Sequence, residues 1–131
     1  MPWLYAAGNL VHPAETADVA ALGARHAARH IAAALGGGEH PVPRAVSLLV
    51  AEPLAWVAPG GIGDDRAAPA RNRLILRSRG PRRLARLEVS QNGRLLARHR
   101  ARLAPGRSVT LPAGWVSRVD VAGEPVRIDV S

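Results

Sequence analysis

The sequence predicts an α+β chain: one strand and one long helix that lack packing partners of their own, followed by an antiparallel β-sandwich. Three observations carry this. A short apolar run leads into a single two-faced helical segment ending in Gly36-Gly37-Gly38. After residue 43 the helical period disappears, and short alternating runs take over. Those runs are separated by Gly/Pro and Asn-Gly signals, the pattern of an all-β domain.

Residues 3–7 form an apolar run that reads as a buried strand, ended by Gly8-Asn9. A loop through His12-Pro13 leads to a helix over residues 14–35. Glu15 and Asp18 put negative charge in its first turn, and Arg25, His26, Arg29 and His30 lie further along, both complementing the helix dipole. Gly36 is free to take a left-handed cap. At about 100° per residue, Ala17, Ala20, Ala21, Gly23, Ala24, Ala27, Ala28, Ile31, Ala32 and Leu35 share one broad side, with the charged and His residues opposite. Such a small-residue face packs closely on a flat partner, and one five-residue strand is not a sheet. Self-association through the stripe is therefore expected unless a partner covers it.

The domain reading is residues 1–38 for the strand–helix segment, 39–43 for a Glu-His-Pro-Val-Pro linker and 44–131 for the sandwich. Strands are expected at Ala45–Val50, 54–57, 74–77, 85–90, Arg94–Leu103, 109–111, 115–119 and Val126–Val130. Residues 58–72 read as a Gly/Pro/Asp-rich loop. Asn92-Gly93 is a strong type I′ hairpin signal between alternating strands. Leu95, Ala97, Ala101 and Leu103 should point inward, and Arg94, Arg98, Arg100 and Arg102 outward as a solvated row. The domain is expected to be immunoglobulin-like in outline. Trp56 and Trp115 are assigned to its core or rim.

Composition narrows the functional classes. Without cysteine there is no disulfide, thiolate nucleophile or Cys-based metal site. No uncharged apolar stretch is long enough to span a membrane, and no secretory signal is evident, so a cytoplasmic location is expected. The net charge of +8 comes entirely from arginine, in a sequence rich in Ala, Gly, Pro and Arg. That bias suits a GC-rich genome. With aromatic residues scarce as well, the composition argues against a nucleic-acid partner. His26 and His30 are spaced i, i+4, but no third ligand stands nearby, so no metal site is assigned. Ser47, Ser78 and Ser90 lack His and acid partners at recognisable spacing, and Asp64-Asp65 reads as a turn pair.

The order of residues 3–35 is similar to a known pattern. Trp3-Leu4-Tyr5-Ala6-Ala7-Gly8-Asn9, a short loop, then a helix containing Gly23-Ala24-Arg25-His26-Ala27-Ala28 resembles the last FAD-binding motif of pyridine nucleotide-disulfide oxidoreductase-like flavoproteins, the thioredoxin-reductase-like enzymes with two dinucleotide domains. The tail from about residue 44 resembles an extra C-terminal domain on a bacterial branch of these FAD-dependent oxidoreductases. The resemblance implies that Gly8 lets the backbone approach the flavin's ribityl chain and that Asn9, in place of the family's Asp, hydrogen-bonds a ribityl hydroxyl. It implies further that the amides at Thr16, Ala17 and Asp18 face the flavin C2 carbonyl. The cofactor would be FAD, reduced by NAD(P)H.

No Gly-x-Gly-x-x-Gly fingerprint is present, and Gly60-Gly61-Ile62-Gly63 lies in the wrong context for one. The family's Cys-x-x-Cys pair is absent too. The expectation is a C-terminal fragment or subunit, inactive alone, which supplies one wall of a flavin site. Its partner would be the missing FAD/NAD-binding portion. No catalytic residue is assigned. The alternative is a non-enzymatic β-sandwich interaction module with a docking N-terminal helix.

Overall fold

The computed structural model describes residues 7, 16–36 and 45–131. The expected strand at residues 3–7 (apart from Ala7, which is half-buried and in no regular element), Gly8-Asn9 and the linker at 39–43 lie outside the described residues. The backbone divides into two units, Met1–Pro43 and Arg44–Ser131, each described by itself.

In the first unit, helix α1 spans Ala17–Leu35. Thr16 is the last residue before it, and its carbonyl accepts the first helical bond, from Ala20 N–H at 2.9 Å. Gly36 N–H donates to the Ala32 carbonyl at 3.1 Å and closes the last turn. No described side chain of α1 is fully buried. Its half-buried side is made of Val19, Ala20, Leu22, Gly23, His26, Ala27 and His30. Ala17, Ala21, Ala24, Ala28, Ile31, Ala32 and Leu35 are exposed on an arc of about 100°. The centre of the expected buried face is thus the open one, and the two histidines expected on the exposed face are half-covered. Val19, Leu22 and the imidazoles have more surface to remove from water than the methyl groups of Ala17, Ala21, Ala24 and Ala28, while Ile31 and Leu35 stay on the open side.

The second unit holds eight strands: β1 Ala45–Val50, β2 Leu54–Ala58, β3 Gly61–Gly63, β4 Arg73–Ser78, β5 Arg82–Gln91, β6 Arg94–Leu103, β7 Ser108–Pro112 and β8 Val126–Val130. They form two sheets, ordered β3-β1-β8-β5-β6 and β2-β4-β7. Every pair is antiparallel except β1 with β8, where Leu48 faces Val126 and Val50 faces Ile128 in parallel. Between the sheets lies one core. It includes Leu54, Leu74, Leu76, Leu87, Val89, Leu103, Leu111, Trp115, Val126 and Ile128. The chain is α+β with a β-sandwich, as its alternation indicates.

The β5–β6 hairpin turns on Asn92 and Gly93, at φ 50° and 70°. Two consecutive positive φ values define the type I′ turn, which Asn-Gly adopts at least cost. Gln91 faces Arg94 across it.

Three expectations are corrected. Residues 115–119 are not a strand. Successive bonds from Val116 to Ala113, Arg118 to Trp115 and Val119 to Val116 wind them into a 3-10 turn. That turn buries Trp115, Val116 and Val119 together, which a straight strand cannot do because alternate side chains point apart. Residues 58–72 are not all loop, since β3 pairs with β1 from Ala45↔Gly63 to Ser47↔Gly61. Finally, the register of β5 and β6 shifts between Val89 and Ser90. Leu96 and Ala97 together oppose Val89 there, so Leu96 goes into the core and Leu95 is left 41% exposed. The bulge changes only the Leu95-Leu96 step: Ala97, Ala101 and Leu103 stay on the inner side and Arg94, Arg98, Arg100 and Arg102 are exposed, as expected.

Candidate functional site

Of the residues that the resemblance aligns with a flavin, Gly8 and Asn9 lie outside the described residues, while Thr16, Ala17 and Asp18 sit together at the start of α1. All three are exposed. The amides of Ala17, Asp18 and Val19 precede the first described helical bond, from Ala20 N–H to the Thr16 carbonyl. Such a terminus favours an electron-rich carbonyl or an anion. Asp18 adds a carboxylate to the same turn, which opposes an anion placed directly against it. The arrangement suits a neutral carbonyl that gains electron density, with the Asp18 side chain turned aside.

His26 and His30 meet edge to face, with ring centroids 4.6 Å apart and planes at 69°. No cluster of three His, Cys, Asp or Glu side chains occurs among the described residues, so the pair has no third ligand there. Ser78 is buried, and its Oγ lies 3.1 Å from the Pro53 carbonyl and 2.6 Å from that of Gly80, a turn-tying role. Gly61, Ile62 and Gly63 spend their backbone on the β1 ladder rather than on a phosphate loop. Asp65 accepts Ala67 N–H at 3.1 Å and Arg66 N–H reaches the Gly63 carbonyl at 2.9 Å, the turn expected at Asp64-Asp65. Among the described residues no helix is long and apolar enough to cross a membrane.

A second constellation was not legible from composition. The outer face of the β5–β6 ribbon carries Arg86 directly opposite Arg100, and Glu88 opposite Arg98. Arg98 Nε donates to Glu88 at 2.8 Å. Arg83, Arg86, Arg100 and Arg102 line an open concavity of about 760 Å³ that no Asp or Glu lines. A smaller one, about 330 Å³, lies between Arg86, Arg98, His99 and Arg100. The alternation of β6 shows that its arginines share a face, but the register that sets Arg100 against Arg86 depends on bulges that leave no signal in composition.

Trp56 and Trp115 fall where expected. Trp115 is buried in the core, and Trp56 is half-buried on β2 with the Arg77 guanidinium 6.0 Å from its ring centre. No family model, curated protein or solved structure matches the chain.

Proposed function

We propose that residues 3–35 are the terminal strand and helix of an FAD-binding fold, and that the chain works as the C-terminal part of an FAD-dependent, NAD(P)H-linked oxidoreductase. The observation that carries this reading is the open arc of Ala17, Ala21, Ala24, Ala28 and Ile31. It lies on a helix that starts at the residues the resemblance aligns with the flavin. A close-packing face left uncovered is what a piece of a doubly wound domain presents when its sheet belongs to another segment. The β-sandwich then acts as an accessory or subunit-contact domain.

Bound FAD would supply the hydride transfer, whose chemistry belongs to the cofactor. The residues of this chain bind and orient. As the resemblance implies, Gly8 would admit the backbone close to the ribityl chain, and Asn9 would offer both a donor and an acceptor to its hydroxyls. The amides of residues 16–18 would hold the pyrimidine edge at a helix terminus, which would favour electron density there. The pyrophosphate is held elsewhere, because this chain has no glycine-rich phosphate loop.

The alternative is a non-enzymatic interaction module with a docking helix, and Ala24→Arg separates the two. If the helix face belongs to a flavin domain, the assembly purified through a tagged sandwich carries flavin absorbance that the variant loses. The melting temperature of the sandwich should then stay within the ordinary range of surface substitutions, about 0.5 kcal/mol. A flavin-free monomer that Ala24→Arg destabilises by about 2–3 kcal/mol, the cost of forcing a charge into a packed interior, sinks the flavin reading in favour of the module.

The isolated chain should hold FAD too weakly to survive gel filtration. A yellow chain with stoichiometric flavin would show that the pyrophosphate site is not needed.

A further inference from the structure

The outer face of the five-stranded sheet carries Arg86, Arg98, Arg100, Arg102 and Arg127 against two carboxylates, Glu88 and Asp129, which themselves face each other across β5 and β8. Among the described residues, one arginine of this face makes an ion pair with a carboxylate. Arg98 has Glu88, and at another edge of the domain Arg79 has Glu52 at 2.8 Å. Arg86 and Arg100 instead have each other, and side chains directly opposite in an antiparallel pair have Cβ atoms only about 5 Å apart. Like charges there are unfavourable, and an anion bridging them reverses the sign. Guanidinium groups grip phosphate oxygens through two parallel N–H donors, so phosphate is the matching chemistry.

The shape of the array selects among phosphates. Arg98, Arg100 and Arg102 follow one another at two-residue steps of about 7 Å along β6, an edge strand. The two concavities adjoin through Arg86 and Arg100. That is a strip, suited to a linear polyanion rather than to one compact ligand. It carries no Trp, Tyr or Phe, with Trp56 on the other sheet and Trp115 in the core, and the single imidazole of His99 is no extended platform for successive unpaired bases. A duplex, whose bases stay stacked and whose phosphates face outward, needs none.

We infer that the outer face of the β5–β6 ribbon, through Arg83, Arg86, Arg100 and Arg102, binds the phosphodiester backbone of a nucleic-acid duplex without regard to sequence. Composition argued against such a partner, but composition does not contain the placement of the arginines. The inference is independent of the flavin reading.

The test is a fluorescence-anisotropy titration of the full chain against a mixed-sequence duplex of roughly 20 base pairs over a sodium chloride series. With four phosphates neutralised, affinity should fall about 150-fold between roughly 50 and 200 mM salt. In the Arg86→Ala/Arg100→Ala double variant the fall should be only about 12-fold, because two counterion-releasing contacts are gone. Arg79→Ala, a control already paired with Glu52, should match the parent.

The double variant should melt no lower than the parent, since it relieves a like-charge pair. Should it unfold, Arg102→Ala alone serves, with an expected drop of about 0.9 in the log–log salt slope. No binding at the lowest salt, or an unchanged salt slope, overturns the inference. So does displacement of the duplex by equimolar pyrophosphate, which would mean a small-anion site. Binding to vesicles containing phosphatidylserine with none to the duplex would assign the face to a membrane and overturn it as well.

Discussion

Leu87→Ala should lower the stability of the β-sandwich by about 3–4 kcal/mol, the range for emptying a well-packed leucine site. Leu87 is fully buried at the middle of β5, between His99 on β6 and Val130 on β8. Its strand is hydrogen-bonded on both sides, so the backbone cannot close on the void, and the cavity term is retained. In a domain of this size that loss corresponds to a fall of roughly 15–25 °C in melting temperature. Leu84→Ala, three residues earlier on the same strand, is the internal control. Leu84 is 93% exposed, and its truncation should stay within about 0.5 kcal/mol. Thermal unfolding of both variants by circular dichroism decides the matter. Equal effects would mean that the two sheets are not packed on Leu87.

Gln91→Leu should cost nearly as much, about 3 kcal/mol, for a different reason. Gln91 is a buried side chain at the end of β5. Its Nε2 donates to the carbonyls of Asp120 and Glu124 at 2.7 and 2.9 Å, and its Oε1 accepts Asp120 N–H at 2.9 Å. Asn92 adds a bond from Glu124 N–H at 3.0 Å. One amide and the hairpin tip therefore hold the 120–124 loop, which delivers β8 into the sheet. Leucine has similar bulk but leaves the Glu124 carbonyl and the Asp120 N–H without partners, while the Asp120 carbonyl keeps only Gly123 N–H at 3.1 Å. Gly123 lies so close to Asn92 that a Cβ there would come within 2.8 Å of Nδ2, so the loop cannot move inward to compensate.

Gln91→Glu distinguishes hydrogen bonding from volume. A carboxylate would face the two carbonyl oxygens that the amide now serves, and this favours the protonated acid in the folded state. The group's folded-state pKa is then raised above its unfolded value. The variant should regain part of its stability as pH falls towards about 4.3, and lose it as pH rises through the raised folded pKa. A pH-independent deficit relative to the parent would show that shape alone is at stake.

Much of this architecture is readable from residues. β1, β6 and β8 have the bounds that alternation and turn chemistry indicate. The hairpin is readable because propensity, period and the Asn92-Gly93 turn all point the same way. What escapes are features whose local pattern competes with tertiary packing. Residues 115–119 carry strand-like side chains, yet the core takes three of them at once, and only a tight turn presents them so. Leu95-Leu96 offers two equivalent apolar side chains, and nothing local decides which enters the core before the bulge does. For the candidate flavin wall, the helix was readable from charge and spacing, although it was expected from residue 14 and the described helix begins at Ala17. The face of α1 that stays open was not, because alanine periodicity records which residues are small and not which side is covered. The outward row of Arg98, Arg100 and Arg102 was readable from alternation, but its pairing with Arg86 was not, because the register that sets Arg100 opposite Arg86 depends on bulges in the hairpin.

The parallel pairing of β1 with β8 has a consequence for the order in which the sandwich is made. β8 is the last strand of the domain in chain order, yet it lies at the centre of its sheet, between the first strand of the domain and β5. Only β5–β6 can pair as a local hairpin while the chain emerges from the ribosome. The ladder that joins β1 to the rest spans nearly the whole domain in sequence, and contacts of such high order are slow to form. Until Val126–Val130 arrives, both of its neighbours present unsatisfied edges. The sheet can thus close only once β8 has been made. A truncation that removes β8 would not trim the sheet but open it through the middle.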